Sequence, residues 1–282
     1  MINPPEFVGV GHVSFDINGL ENGVREKKHG GSVSYAGLTA AKHGMKVGLV
    51  TSAGSDFDYK SSLPDIEVVS HLSDHTTTFT NIYKSNHRKQ GLICNAGKII
   101  KSDIPQGWIK PQIFFAGPLL HEISTSCLEW FDSKFSYIVP QGWFRRWSHQ
   151  GLITIESFLP EHKYEKKWDL LVVSDQEASN LSEKHLLNWA KIVAVTKGSD
   201  GATIICDKGD NFSIPPFASK AVDRTGAGDV WTTAMALLLY GGENPRDAGY
   251  YASAAAALSI ESPGLDGCPS PDDIEKKLLG VY

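Results

Sequence analysis

Short apolar strands alternate with helical segments along most of this chain. Residues 7–11 read as a buried strand that ends on glycine, residues 33–43 as a helix, and residues 46–51 as a second buried strand. Strand–helix–strand order implies parallel strands with helices packed on the sheet. The order returns later, with strands predicted at 113–116, 137–139, 170–174 and 192–196 and helices at 124–131 and 182–190. The pattern therefore predicts an α/β fold with a mostly parallel sheet.

Two segments depart from this alternation. Residues 76–83 and 90–94 are rich in β-branched and aromatic side chains and read as a hairpin, which in an α/β chain is usually a lid or an oligomer arm. Residues 202–206 and 211–214 form a second predicted hairpin near the far edge of the sheet. Asn244 and Pro245 then cap a helix that runs to about residue 260. We expect one domain with a small lid.

Composition excludes several classes of protein. The 282 residues are 41% hydrophobic and carry a net charge of −5, which disfavours nucleic acid or a membrane surface as partner. No run approaches the ~20 apolar residues of a membrane span, and the first residues lack the features of a signal peptide. The four cysteines are far apart, which fits a reducing compartment and makes a zinc site improbable. We expect a cytoplasmic protein.

The stretch with the most chemical content is residues 223–229, Asp-Arg-Thr-Gly-Ala-Gly-Asp, followed by an apolar helix. A helix start has unpaired backbone N–H groups and a partial positive charge, so it attracts anions. The glycines let a phosphate approach the backbone, and Asp229 would lie where a base could take a proton. The alternative is that the glycines only make a turn and Asp229 only complements the helix dipole.

Other motifs are weaker. Gly9-x-Gly11 is close to a dinucleotide fingerprint, but the residues after it continue as strand or turn and not as the required helix. No Gly-x-x-x-x-Gly-Lys-Ser/Thr loop occurs, so the chain is not a P-loop enzyme. His71 and His75 lie in a polar, non-helical stretch, which disfavours a metal site there.

With these features in place, the chain resembles the ribokinase-like (PfkB) family of carbohydrate and nucleoside kinases over nearly its whole length. Residues 223–229 resemble the family signature D-[TP]-T-G-A-G-D, with Arg224 at the variable position. The resemblance implies that Asp229 is the catalytic base and that Gly226, Ala227 and Gly228 form an anion hole. It also implies a three-layer α/β/α sandwich, with lid elements from about residues 12–30 and 76–97.

The resemblance also implies which residues bind the substrate. Gly30 and Gly31 before a helix resemble the family's G-G-x-x-x-N-x-A segment, although Tyr35 replaces its asparagine. Asp16 matches an acidic residue that binds substrate hydroxyls, and its alternative is a turn aspartate beside Asn18 and Gly19. Further substrate contacts are expected from Arg88 and Gln90 in the lid and from Gln141 and Arg145, in the region of the family's D-x-N-x-R motif.

Other segments resemble the parts of the family that bind the phosphoryl donor. Residues 195–202 resemble V-T-x-G-x-x-G, a loop that contacts nucleotide in the family. Glu177 matches the glutamate of N-x-x-E, which orders magnesium, although Ser174 replaces the asparagine. The predicted cofactor contacts are Thr196, Lys197, Gly198, Gly201, Thr225 and Gly264.

The resemblance implies a kinase that transfers the γ-phosphate of ATP, with Mg²⁺, to a hydroxyl of a small sugar, polyol or nucleoside. A monovalent cation remains open as a further cofactor. The chain resembles a subgroup of the family that includes plant myo-inositol kinase. Like this subgroup, it is short and has a serine, Ser174, in place of the asparagine before the magnesium glutamate. The alternative function is a non-catalytic nucleotide- or sugar-binding protein on the same fold, and the sequence leaves open whether the lid pairs in a homodimer.

Overall fold

The computed structural model describes residues 4–19, 25–84, 87–159 and 166–280. These residues form a large sheet, a smaller second sheet, a two-stranded hairpin and helices. The strands are β1 Phe7–Val10, β2 Ser14–Gly19, β3 Arg25–Gly30, β4 Val47–Ala53, β5 Glu67–Leu72, β6 Thr77–Lys84, β7 His87–Cys94, β8 Ile113–Ala116, β9 Phe135–Ile138, β10 Arg145–Trp147, β11 Ile153–Ile155, β12 Trp168–Ser174, β13 Ala190–Thr196, β14 Ala202–Cys206 and β15 Asn211–Ile214. The α-helices are α1 Ser32–Lys42, α2 Tyr59–Ser62, α3 Gln141–Phe144, α4 Asp175–Ala178, α5 Glu183–Trp189, α6 Ala227–Tyr240, α7 Pro245–Ser259 and α8 Pro271–Leu278.

The large sheet has the order β15-β14-β13-β12-β9-β8-β1-β4-β5. From β13 to β5 every neighbouring pair is parallel, whereas β14 and β15 are antiparallel. Alternate residues of β1 enter opposite cores, because Phe7 packs with α1, α6 and α7 while Val8 packs with the α5 side. The predicted α/β fold with a mostly parallel sheet is confirmed.

The second sheet has the order β3-β2-β6-β7 and stands apart from the large one. β2 pairs in parallel with β6, and its other neighbour, β3, is antiparallel. β6 and β7 form the hairpin that the sequence predicts. Because β2 follows β1 after only three residues, this sheet begins at the carboxyl end of the large sheet's central strand. Ligands of open parallel sheets bind at that edge.

The helix predicted over residues 124–131 is wrong. The structure has only a 3₁₀ turn there, Cys127–Trp130. Ser124 Oγ accepts from the N–H of Ser126 at 3.2 Å, and such local bonds compete with helix formation. The apolar side chains that suggested a helix, Cys127, Leu128 and Phe131, are buried from an irregular segment. The sequence also gave no sign of β5, of the β10–β11 hairpin or of α8.

The buried carboxylate of Glu122 holds the loop that follows β8. Glu122 is 3% exposed and accepts from three backbone N–H groups, those of Leu119 at 2.7 Å, Leu120 at 2.6 Å and His12 at 3.2 Å. Three donors on one carboxylate satisfy it without a cation. The loop at Leu119 is therefore held against the end of β1.

Within the described ranges, no helix is both long enough and apolar enough to cross a bilayer.

Candidate active site

The start of α6 is built by a left-handed glycine. Gly226 is the N-cap, with φ of 77°, and Ala227, Gly228 and Asp229 make the first turn. A Cβ on Gly226 would overlap the ring of Tyr35, which packs directly beneath the turn. Glycine is therefore required at this position for two reasons: its φ is positive, and there is no room for a Cβ. The first N–H groups of α6 have no partner within the helix, so the turn can receive an anion.

Asp223 holds the chain that enters this turn. Its carboxylate accepts from the N–H of Thr225 at 2.9 Å and of Gly264 at 3.2 Å, and Lys28 Nζ lies 3.3 Å away. Burial alone would raise the pKa of Asp223, but the Thr225 N–H and the Lys28 ammonium outweigh it and lower the pKa. Lys28 belongs to β3, so this ion pair joins the second sheet to the α6 turn.

Asp229 carries the only acidic side chain in the first turn of α6. Its Oδ1 is buried and has no hydrogen-bond partner. Burial raises the pKa of Asp229 to about 6, while Ser32 and the charge of Arg145 act to lower it and Glu177 and Asp16 act to raise it. A carboxyl with this pKa is ionised at neutral pH and is a stronger base than an exposed aspartate.

The α6 turn faces a polar cleft of about 790 Å³. Side chains from β7, α3, β10, α4 and the residues before α6 line it. The predicted site residues among them are Gln90, Gln141, Arg145, Glu177, Thr196, Gly226, Ala227, Gly228 and Asp229. The structure thus brings together the proposed base, the anion hole and three predicted substrate contacts.

A second cavity of about 530 Å³ adjoins the cleft. It shares Thr196, Arg224, Ala227 and Gly228 with it, so the two meet at the α6 turn. Its wall is largely apolar and comes from the segment after β15, from α6 and from α7. The lining includes Gly198, Gly201, Phe217, Trp231, Ala256, Ala257 and Ile260.

Behind Gln90, a buried amide network holds Asp16. Gln90 Nε2 donates to Asn81 Oδ1 at 3.0 Å, and Asn81 Nδ2 donates to Asp16 Oδ1 at 2.8 Å and to Asn18 Oδ1 at 3.0 Å. Asp16 is 6% exposed and lies inside β2, so it is not a turn aspartate. A Cβ on Gly30 would overlap the Asp16 carboxylate, so only glycine fits at this position.

Other predicted residues are placed outside the two cavities. Lys197 is exposed, and its Nζ donates to Thr203 Oγ1 at 2.9 Å. Tyr35 is buried under the α6 turn, where burial and the nearby Asp16 raise the pKa of its hydroxyl far above the ordinary value. Thr225 and Gly264 bond to Asp223, as described above. Gly31 is the N-cap of α1, with φ of 101°. The side chain of Arg88 lies outside the described residues.

Glu177 is held by a capping box at the start of α4. Its Oε2 accepts from the N–H of Ser174 at 2.8 Å, and Ser174 Oγ accepts from the N–H of Glu177 at 3.2 Å. The serine at this position therefore orients the glutamate. Among the described residues no group of three His, Cys, Asp or Glu side chains could enclose a metal. One carboxylate in a cleft beside a helix N-terminus nevertheless suits Mg²⁺, which keeps most of its waters and binds proteins through one or two carboxylates.

Three residues of the site were not predicted from sequence. Ser32 accepts a hydrogen bond from Gln141, Asn81 orients Asp16, and Arg224 lines both cavities. Asn81 does interrupt an otherwise β-branched and aromatic strand, and this polar residue was the one available signal. Ser32 is separated from Gln141, its hydrogen-bond partner, by 109 positions, so no local pattern indicates their contact.

The sequence is similar to those of carbohydrate and nucleoside kinases. Residues 160–273 match the sequence profile of the pfkB family of carbohydrate kinases. A cytidine kinase from Thermococcus kodakarensis is 26% identical over 245 residues, which are 80% of this chain and 85% of that protein.

Solved structures of the same fold are similar over almost the whole chain. A pyrophosphate-dependent kinase in the ribokinase family, in a sulfate complex, gives a TM-score of 0.82 at 24% identity and covers 95% of this chain and 99% of that one. A structure of such a kinase with a pyrophosphate analog and myo-inositol gives 0.78, with the same identity and coverage. Ribokinase from Thermotoga maritima gives 0.71 at 21% identity, covering 96% and 99%.

Fold and sequence together define the class, a phosphotransferase with an alcohol group as acceptor. Within that class, residues 160–273 match the pfkB family of carbohydrate kinases, and almost the whole chain has the fold of a kinase in the ribokinase family. The resemblance that rests on residues 223–229 is confirmed at the level of the family.

Proposed function

We propose that this protein transfers the γ-phosphate of ATP to a hydroxyl of a small sugar, a polyol such as myo-inositol, or a nucleoside. The observation that carries the proposal is the buried, unpaired Oδ1 of Asp229, at a helix N-terminus where two cavities meet. A base is needed between a donor phosphate and an acceptor hydroxyl, and the position of Asp229 beside the turn that both cavities share supports this role.

Each group then has a task in the transfer. Asp229 accepts the proton of the acceptor hydroxyl as its oxygen attacks the γ-phosphate. The N–H groups at Gly226, Ala227 and Gly228 stabilise charge on the transferred group. Glu177 would hold Mg²⁺ through its waters, and the ion would neutralise charge on the donor phosphates. Gln90 and Asp16 bind the acceptor, in agreement with their polar network beside the cleft.

The adjoining cavity supports a nucleotide as the donor. Pyrophosphate, the donor named for two of the structural relatives described above, needs only the anion site at the α6 turn. Here that site opens into about 530 Å³ of largely apolar space, which suits a nucleoside. Thr196, Gly198 and Gly201 border this space and would contact the donor, whereas Lys197 would do so only after moving from Thr203.

The second sheet is proposed to act as a lid over the acceptor. It supplies Asp16, Asn81 and Gln90, and closure would keep water from the donor phosphate. Its edge strand β7 exposes Ile93 and the neighbouring β6 exposes Ile82, so pairing of two lids in a homodimer is a further proposal.

A screen separates the proposed function from its rivals. Purified protein is incubated with Mg²⁺ and either ATP or pyrophosphate, together with sugars, polyols including myo-inositol, or nucleosides. We expect ADP release that depends on one class of acceptor. Turnover with pyrophosphate alone would refute the donor assignment. Binding of ligands without phosphoryl transfer under any condition would favour the non-catalytic binding protein.

Gly30→Ala tests the acceptor site. The added methyl group would displace the Asp16 carboxylate, which Asn81 and the strand hold in place. We expect KM for the acceptor to rise about tenfold, with KM for ATP unchanged, because one hydrogen bond to a charged group is lost. Gly107→Ala is the control, since a Cβ there meets nothing within 4 Å. An unchanged acceptor KM in Gly30→Ala would remove Asp16 from the acceptor site.

A further inference from the structure

One lysine of the second sheet reaches the segment that enters the α6 turn. Lys28 lies in β3 directly opposite Asp16 of β2, so the two side chains share one face of that sheet. Its Nζ is 3.3 Å from Oδ2 of Asp223, and the side chains of Lys28 and Asp223 are only 21% and 7% exposed. The ion pair therefore joins the sheet face that carries the proposed acceptor carboxylate to the segment before the anion hole.

Asp223 connects several parts of the site. Its Oδ1 accepts from the N–H of Thr225, the residue before the N-cap Gly226, at 2.9 Å. Its Oδ2 accepts from the N–H of Gly264 at 3.2 Å. The backbone N–H of Asp223 bonds at 3.1 Å to the carbonyl of Ile260, which lines the second cavity. A shift of Asp223 would therefore move the anion hole and one wall of that cavity together.

The ammonium of Lys28 gives Asp223 a partner that the backbone does not supply. Two N–H groups satisfy part of the carboxylate, and a largely buried charge is stabilised further by an opposite charge in hydrogen-bonding range. The stem of Lys28 also runs beside Gly264, since a Cβ on that glycine would lie 3.7 Å from Lys28 Cδ. Asp223 is thus best stabilised when the second sheet lies against the α6 turn.

We propose that Lys28 is a positioning residue that couples closure of the second sheet over the acceptor to the shape of the anion hole, through its ion pair with Asp223. The proposal deepens the proposed function and rests on it for the roles of the lid and the anion hole. Linkage makes the coupling reciprocal. A phosphate bound at the α6 turn favours the closed sheet, and the closed sheet tightens binding of that phosphate.

The coupling also bears on hydrolysis of the donor. Asp16 and Lys28 share a face of the sheet, so an acceptor that draws Asp16 toward the cleft brings Lys28 to Asp223. The anion hole is then held most firmly when the acceptor site is covered. Transfer to water from an open site is disfavoured for the same reason.

Three substitutions on β3 separate the ion pair from a general effect of charge. Lys28→Met removes the ammonium and keeps an apolar stem, whereas Lys28→Arg keeps the charge. Lys27→Met is the matched control, because Lys27 also joins the second sheet to the loop after β4, with its Nζ 3.5 Å from Oδ2 of Asp56. Those two side chains are 51% and 55% exposed, and such surface pairs contribute little.

Hydrogen exchange measured by mass spectrometry follows the coupling without turnover. Exchange is compared in peptides that cover β2, β3 and residues 223–229, with and without saturating ADP or pyrophosphate. In the wild type, we expect the anion to slow exchange at the α6 turn and, by at least about fivefold, in β2 and β3 as well. In Lys28→Met, the slowing at the turn should remain, while the response of β2 and β3 falls below about twofold. Lys28→Arg and Lys27→Met should respond like the wild type.

Turnover and a double-mutant cycle supply a second readout. We expect Lys28→Met to lower kcat/KM for the best acceptor of the screen about tenfold, and Lys28→Arg to recover it to within about threefold of wild type. Lys27→Met should leave it unchanged. In an Asp223→Asn background, Lys28→Met should cause less than about twofold further change, because the partner of the lysine is already gone.

Three results would overturn the coupling: a response of β2 and β3 that Lys28→Met leaves intact, an equal loss of response in Lys27→Met, or an effect of Lys28→Met that persists fully in Asp223→Asn. A wild-type protein that shows the response without turnover would refute the proposed function and keep the coupling. Turnover without any response of β2 and β3 would do the reverse. If neither anion protects the α6 turn, the coupling is refuted, and the screen decides the proposed function separately.

Discussion

Asp229→Asn is expected to lower kcat by about a hundredfold to ten-thousandfold, because the amide cannot accept the proton of the acceptor hydroxyl. The Kd for ATP should remain within about threefold of wild type, since the anion hole consists of backbone groups. Steady-state kinetics and calorimetric titration of ATP measure the two effects separately. In the wild type, kcat should fall as the pH drops below about 6, where Asp229 becomes protonated.

The same variant should be more stable than wild type at pH 7.5. The pKa of Asp229 rises from an ordinary 3.8 to about 6 on folding, so between these values the folded chain binds more protons here than the unfolded chain. Stability from this group is lost as the pH rises through that window. The advantage of Asp229→Asn should vanish near pH 4. Asp247→Asn, an exposed carboxylate in the first turn of α7, is the control for both readouts. Full turnover in Asp229→Asn would remove Asp229 as the base.

Gly226→Ala is expected to have the second largest effect, because it alters the turn that carries the anion hole. The new methyl group would overlap the buried ring of Tyr35, and the residue would have to keep φ near 77°. Left-handed strain and overpacking together predict a loss of about 3 kcal/mol of unfolding free energy, with kcat reduced at least about tenfold. Denaturant unfolding and kcat measure the two effects.

Gly44→Ala separates strain from overlap. Gly44 has φ of 82°, but a Cβ there meets nothing within 4 Å. We expect it to lose only about 1 kcal/mol, the cost of the left-handed conformation, with activity unchanged. Equal losses in the two variants would mean that the contact between Tyr35 and Gly226 adds nothing to the stability of the turn.

Local signals in the sequence were sufficient for much of the fold. Asn244 and Pro245 predicted the start of α7, and the glycines of residues 226–228 predicted the start of α6. The local signals failed where the hydrophobic pattern was weak, or where apolar residues fill the core without forming a helix. β5 is an edge strand with largely exposed side chains, so it lacks the apolar run of a buried strand. Cys127, Leu128 and Phe131 are apolar because they fill the core, not because they form a helix.

The residues of the candidate site also fall into two groups, those that a local motif indicates and those that only the fold brings together. Asp229 and the glycines before it lie in one short motif, so sequence could indicate them. Other hydrogen bonds of the site join distant positions: Asn81 is 65 residues from Asp16, and Gln141 is 109 residues from Ser32. Only the fold brings these residues together, and sequence reasoning therefore gave Gln141 and Arg145 a substrate role without their hydrogen bond to each other.

The central claim is that this protein moves a phosphoryl group from a nucleotide to an alcohol. The most direct measurement is ³¹P NMR of a reaction with ATP, Mg²⁺ and the best acceptor of the screen. We predict a new phosphomonoester signal that grows in equal amount with ADP in the wild type and is absent with Asp229→Asn. ADP accompanied only by inorganic phosphate, or a phosphomonoester formed from pyrophosphate but not from ATP, would contradict the account.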